Sequence, residues 1–270
     1  MQNYPFKVKP PITAASRLPK FDNWWLLVVA VFALVSLLVF SSPDPYQRIL
    51  VFVSDGILVT IRLTAISFVL VLFLGLIVAL GRLSKINFIR GTTTVYVEII
   101  RGIPVLVQLF FWYFAFPAIV QDLGRNFNIQ QLINYRANPN AMAILGLTVC
   151  YAAYMSEVYR AGIQSISKGQ MEAARSMGMN YLQAMRYIIL PQAVRVILPP
   201  VGNEFITLLK DTALVSTVAV ADLTRRGREF MAANFNPLPT WLMISLLYLI
   251  LTLVSARVVN YIEEKTKLER

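Results

Sequence analysis

What this chain can fold into is decided by its apolar runs. Residues 24–40 hold no charge, 57–80 carry only Arg62, 141–159 only Glu157, and 241–261 only Arg257. A fifth run, 92–116, is predominantly apolar but contains Glu98, Arg101 and a Gly102-Ile103-Pro104 break. About 20 apolar residues span a hydrocarbon core about 30 Å thick, and lipid offers no hydrogen bonds to an open backbone. Each run therefore predicts a membrane-crossing helix, and the fold class is all-α, a polytopic membrane helix bundle.

Composition agrees. Hydrophobic residues make up 57% of the 270-residue chain and charged residues 14%, against roughly 25% charged in ordinary soluble domains. The chain has no histidine and one cysteine, Cys150. That removes histidine bases, Ser-His-Asp triads, His-ligated metals, Cys-rich zinc sites and internal disulfides. The net charge of +11 belongs with membrane orientation and lipid, and no nucleic-acid partner is expected.

A sixth crossing at 192–222 is less plain, because it contains Arg195, Pro199-Pro200, Asn203, Glu204, Lys210 and Asp211. Basic residues favour the cytoplasmic side of a membrane protein, and they arbitrate. The tail before residue 24 holds Lys7, Lys9, Arg17 and Lys20 against Asp22; residues 81–91 hold Arg82, Lys85 and Arg90; residues 160–191 hold Arg160, Lys168, Arg175 and Arg186 against Glu172. The intervening loops 41–56 and 117–140 lack such an excess. The pattern predicts about six transmembrane helices with both termini cytoplasmic. It also puts Arg225, Arg226 and Arg228 outside as a solvated loop, against the charge rule. The run at 24–40 starts late and is followed by no A-x-A site, so an uncleaved helix is expected.

The stretch with most information is the loop Ser167-Lys-Gly-Gln-Met171-Glu172-Ala173-Ala174-Arg-Ser-Met177-Gly178, continuing to Ile188, Leu190 and Pro191. Ser167 and Gln170 have the spacing of a capping box, and Gly178 suits the position just past a helix end. Asn180 and Gln183 can open a second helix, which Pro191 interrupts. Met171, Ala174 and Met177 recur at helical spacing, forming an apolar knob that wants a groove in a partner.

This loop resembles that of ABC importer permeases, in which E-A-A, three residues, G, nine residues, I, one residue and L-P recur. Glu172, Ala173, Ala174, Gly178, Ile188, Leu190 and Pro191 match without a gap. Further segments resemble the polar amino acid uptake branch, among them Thr60-Ile-Arg62-Leu-Thr64, Glu98-Ile-Ile-Arg101-Gly102-Ile-Pro104, Gln108-Leu-Phe and Gly202-Asn203-Glu204-Phe. The resemblance implies a type I importer permease domain over 55–262 with an additional helix at 24–40, and the charge pattern makes the tails at 1–23 and 263–270 cytoplasmic. It implies a second permease subunit, identical or similar, two ABC ATPase subunits and an extracytoplasmic solute-binding protein. The loop then serves as the coupling helix, with Met171, Glu172, Ala173, Ala174, Met177, Gly178, Ile188, Leu190 and Pro191 meeting the ATPase.

The residues require such a partner independently. ATP-driven transport needs a G-x-x-x-x-G-K-[ST] phosphate cradle, and no glycine here is followed by lysine. No catalytic residue, cofactor or metal is therefore assigned to this chain; ATP and Mg belong to the partner ATPase.

Ionisable groups inside a membrane are costly and mark function or structural pairing. Glu98 and Arg101 fall roughly 9 and 14 Å into their run, and Glu157 at comparable depth. Pairings of Glu98 with Arg101, Glu157 with Arg160, or Arg101 with Glu157 are the structural reading. Asn203 and Glu204 lie roughly 18 Å into theirs, just past Pro199-Pro200, where a broken helix would make a midplane site. Gln108 is expected to face them. The substrate pathway is accordingly assigned to Gln108, Asn203, Glu204, Glu98, Arg101 and Glu157, with a polar amino acid as solute and membrane lipid around the bundle. Two alternatives remain: a permease for an opine or another charged amine, and a membrane-embedded enzyme using Glu98, Glu157 or Glu204.

Overall fold

The computed structural model describes residues 23–266. The tail at 1–22 and residues 267–270, both assigned above to the cytoplasm, lie outside the described residues. Helix α1 (Asn23–Ser41) passes through Ser42 directly into α2 (Pro43–Arg82), with Asp44 at φ −102°, ψ 114° forming the kink. At 40 residues α2 is about 60 Å long, twice the hydrocarbon thickness. There follow α3 (Asn87–Gly102), α4 (Val105–Phe110), a π-helical turn at Phe111–Ala115 and α5 (Phe116–Asn126). After the short α6 (Gln130–Ile133) come α7 (Pro139–Gln164), α8 (Lys168–Ser176) and α9 (Tyr181–Ala184). A second π turn, Met185–Ile189, leads into α10 (Leu190–Asp211), a 3-10 segment Thr212–Val218, α11 (Leu223–Asn234) and α12 (Pro237–Thr266).

Five stretches are long and apolar enough to cross a membrane: Trp24–Ser41, Pro43–Arg82, Val105–Asn126, Pro139–Gln164 and Pro237–Thr266. The run at 92–116 is not one helix. Ile103 is extended at φ −107°, ψ 130°, because the ring of Pro104 disfavours helical geometry in the residue before it. Glu98 and Arg101 thus lie on α3, whereas the crossing rod begins after Pro104. Two prolines are absorbed instead of breaking their helices. Pro117 and Pro191 each stand two residues past a π turn. In both cases the carbonyl four residues before the proline, which the ring would crowd and leave unpaired, lies at the centre of that turn. Pro191 therefore does not interrupt the second loop helix.

The expected crossing at 192–222 is shorter than its sequence suggests. Helix α10 ends at Asp211 and the chain continues as the 3-10 segment. Its 22 residues still measure about 33 Å. Too polar to qualify by hydropathy, α10 is held by packing against α7 and α12. At Gly202 a Cβ would stand 2.1 Å from Val259 Cγ1, so only glycine allows this approach of α10 to α12.

Helices α2 and α7 form the centre, where Val71, Leu147, Cys150 and Met155 are fully buried. Helix α1 adds Val28, Val31 and Val35, at helical spacing, to a second cluster with Ile49, Met243 and Leu247. Arg257 of α12 stacks over the Trp25 ring at 5.1 Å from its centroid, which sets the start of α1 beside the last third of α12. Because α12 also runs antiparallel to α10, the start of α1, helix α8 and the end of α12 share one end of the bundle. Helix α11 closes the opposite end.

Candidate functional site

The loop at the α8 end is built as a compact hairpin. Ser167 caps α8 by accepting from Gly169 N at 3.3 Å. The expected reciprocal bond from Gln170 is replaced by a contact with Gln192 Nε2 at 3.4 Å. The helix closes with Gly178 N donating to Arg175 O at 3.0 Å and Met179 N to Ala174 O at 3.2 Å. These two bonds constitute a Schellman motif, and it requires Gly178 at φ +86°, a left-handed conformation costly for residues with a Cβ. Asn180 and Gln183 form the expected capping box, each side chain 2.9 Å from the other's backbone N–H.

The apolar knob is not arranged as its spacing suggested. Ala174 is buried against the protein itself and Met171 is half-buried, because α8 folds back onto the second π turn. Ile188 is half-buried too. What faces outward is Glu172, Ala173, Met177, Gly178, Tyr181, Leu182, Tyr187, Leu190 and Pro191, with Met177 82% and Leu182 75% exposed. Two bulky apolar residues standing this far into water form a surface prepared for a partner.

Above the loop, Glu157 bonds both Arg82 of α2 and Arg160 of α7. The Glu157–Arg160 pair was expected and Arg82 was not, since sequence placed it in a loop. No ion pair joins Glu98 to Arg101, or Arg101 to Glu157, among the described residues. Glu157 thus locks α2 to α7 and is not presented to a pathway. Gln108 is also structural: 5% exposed, its Nε2 donates to Ile100 O and Ile103 O, each at 2.8 Å. It caps the carbonyls freed by the Pro104 break and does not turn to Asn203.

The charge of Arg101 on α3 reaches Glu204 on α10, although no ion pair joins them among the described residues. The Arg101 guanidinium lies 5.3 Å from the Tyr154 ring centroid, and Arg101 and Asp211 are the charges that act on Glu204. Asp211 accepts from the Tyr151 hydroxyl at 2.6 Å. Spacing alone missed Tyr151, Tyr154 and Asp211, although Glu204 and Asp211 stand seven residues apart and so share a helix face. Pro199 and Pro200 do not break α10. On a neighbouring face of α10, Asn203, Thr207 and Lys210 are exposed, as are Glu98 and Arg101 on α3.

At the opposite end, the basic cluster is a folded helix and not a solvated loop. Arg226 bonds Asp55 of α2 and Glu229, Arg225 bonds Glu229 at 2.9 Å, and Arg228 donates to Ser216 O. Asp222, fully buried, caps α11 by accepting from Thr224 N and Arg225 N.

Residues 71–268 match the sequence pattern of the binding-protein-dependent transport system inner membrane component family. The chain belongs to this family. The permease is 38% identical over 218 residues to the L-cystine transport system permease protein of Bacillus subtilis, covering 77% of this chain and 87% of that protein. It is 34% identical over 214 residues to the glutamine transport system permease protein of Escherichia coli K12, covering 79% and 92%. A crystal structure of an amino acid ABC transporter with histidines aligns at a TM-score of 0.71 and 33% identity, over 84% of this chain and 98% of that one. The inward-facing methionine transporter shares the fold at a TM-score of 0.59 and 22% identity, over 83% of the permease and 99% of that chain. The permease is a multi-pass inner membrane component of a binding-protein-dependent transport system.

Proposed function

We propose that the permease pairs with a second permease subunit, identical or similar, and that the two line the solute pathway with α3 and α10. The observation that carries this is the exposed polar stripe of Asn203, Thr207 and Lys210 on the crossing helix α10, with Glu98 and Arg101 also exposed on α3. Hydrocarbon does not accommodate such a stripe, whereas a water-filled path between subunits does. Arg101 suits the α-carboxylate of an amino acid and Glu204 its ammonium. Gln108 and Glu157 hold that wall in shape.

The α8 end faces the cytoplasm, together with both termini, in the cell or inner membrane. There the exposed face from Glu172 to Leu182, continued by Leu190 and Pro191, docks one of two ABC ATPases. ATP and Mg are bound by those ATPases, and an extracytoplasmic binding protein delivers the solute at the α11 end. Closing of the ATPases moves the α8 hairpin, whose inner side is packed on the second π turn, and α10 moves with it.

The test is solute-stimulated ATP hydrolysis and uptake in proteoliposomes holding the permease, its ATPase and its binding protein. Leu182→Asp is expected to reduce co-purified ATPase and coupled uptake at least tenfold. Glu204→Gln is expected to reduce uptake at least tenfold with ATPase still bound. Unchanged uptake in both variants would overturn the assignment of docking face and pathway.

A further inference from the structure

We propose that the groove between α10 and α12 binds one phospholipid of the cytoplasmic leaflet, with a zwitterionic headgroup that carries a primary ammonium, as in phosphatidylethanolamine. This goes beyond the pathway reading and concerns another side of α10.

Two cavities of about 240 Å³ each lie along the seam of α10 and α12. They share Phe205 and Ser255 and so form one groove. Inside it Phe68 of α2 packs edge-on against Phe205, ring centroids 4.9 Å apart. Val254, Val258 and Ile262 line it while 44%, 55% and 47% exposed. From Ile250 to Glu263 the groove runs about 20 Å along α12. One leaflet of the hydrocarbon core is about 15 Å deep, so the length suits an acyl chain together with its glycerol end. Leu198, Val201 and Phe205 stand roughly 140–160° around α10 from Asn203. The groove and the polar stripe therefore face nearly opposite ways, and a subunit that covers the stripe leaves the groove to lipid.

The antiparallel register sets the chemistry at the α8 end. Gly202 stands against Val259, and Leu198 lines the same cavity as Glu263. By that register Arg195 comes level with Thr266. Arg195 lies seven residues before Gly202, and Lys265 seven past Val258, each in line with a residue of the groove. Both are exposed, and Glu263 is half-buried. None of the three joins an ion pair among the described residues. A lipid phosphate meets Arg195 and Lys265 through charge-assisted bonds. Glu263 then decides the headgroup. A headgroup whose only charge is its phosphate sets a second anion beside this carboxylate, in surroundings that screen charge poorly. A primary ammonium neutralises Glu263 and donates to it, whereas a trimethylammonium has no N–H to donate.

The experiment is native mass spectrometry of the assembled permease–ATPase complex, released from micelles doped with equal amounts of dioleoyl phosphatidylethanolamine, phosphatidylcholine and phosphatidylglycerol. One phosphatidylethanolamine per permease chain is expected to be retained, at least fivefold over either rival. Ser255→Phe fills the shared middle of the groove and is expected to lower every bound lipid at least fivefold, with the ATPase still attached in the same spectrum. Glu263→Gln, near the end of α12, tests the headgroup without altering the groove walls and should bring phosphatidylethanolamine within twofold of phosphatidylglycerol. Arg195→Gln should weaken all three lipids and leave their ratios unchanged. Equal retention of the three headgroups by the unmutated complex, or retention led by phosphatidylglycerol, overturns the headgroup assignment. Retention untouched by Ser255→Phe overturns the groove as the site. So does a disulfide between the Val258→Cys residues of two permease copies in oxidised membranes, which would put a second copy on the groove. These readings come from bound lipid alone, so normal uptake in Glu204→Gln would overturn the pathway reading and leave this one standing.

Discussion

Gly178 offers the sharpest perturbation, because steric and conformational accounts of it predict different outcomes. A Cβ built there meets nothing within 4 Å, so packing alone predicts that alanine is harmless. The backbone at φ +86° predicts otherwise: a residue with a Cβ costs about 1–2 kcal/mol in the left-handed region, asparagine less. The nine-residue α8 is too short to hold itself together, so this cost falls on the Schellman closure and shifts its opening by a factor of about 5–30. Amide exchange of Met177, Gly178 and Met179, whose N–H groups bond Ala173, Arg175 and Ala174, should accelerate by that factor in the permease alone. The order should be glycine slowest, then asparagine, alanine and valine. In proteoliposomes the ratio of coupled to uncoupled ATP hydrolysis should fall in the same order. Gly178→Ala exchanging and coupling like the unmutated protein, with Gly178→Val equally silent, would refute the argument that a left-handed closure shapes the docking surface.

Two further outcomes follow from the ion pairs. Glu157→Gln leaves Arg82 and Arg160 without their shared carboxylate and should cost about 2 kcal/mol, seen as a Tm lowered by roughly 4–8 °C in a thermal-shift assay of the detergent-solubilised complex; an unchanged Tm would show the pairs to be idle. At the α11 end, Arg225 and Arg226 hold the Glu229 carboxyl below its ordinary value. Its contribution is complete above the usual carboxylate range of about 4.3 and is lost as pH falls through that range into the lowered one, so proteolysis within 223–234 should rise only below about pH 4; Arg226→Ala should weaken that dependence, and the Arg225→Ala, Arg226→Ala pair should remove it.

Much of this architecture was legible in the chain, for identifiable reasons. Crossing helices are set by solvent: a run such as 24–40 or 241–261 has no low-energy place but lipid, and no tertiary contact is needed to say so. The hairpin was legible because Gly178, Asn180 and Gln183 act on their own backbone within a few residues. Two local signals did not survive: the Ser167 to Gln170 box, where Gln192 of another helix competes for the glutamine, and the expected stop at Pro191, which the second π turn absorbs. The break before Pro104 was visible as well, because proline acts on the residue beside it.

The sequence by itself therefore determined the solvent, the helical class, the family and the place of the docking hairpin, all consequences of composition or contacts a few residues long. Tertiary structure alone decided which faces and charges meet. Met171, Ala174 and Met177 share a stripe, yet Ala174 turns inward because the second π turn lies on that side. Glu204 has no basic residue at the i±3 or i±4 positions of its own helix, and the positive charge that acts on it arrives on α3, more than a hundred residues away. Arg82, counted as a loop charge, enters the bundle to share Glu157 with Arg160, and Arg226 crosses to Asp55. A charge in a medium of low polarity is governed by whatever lies within a few ångströms of it, and in a bundle those neighbours belong to other helices.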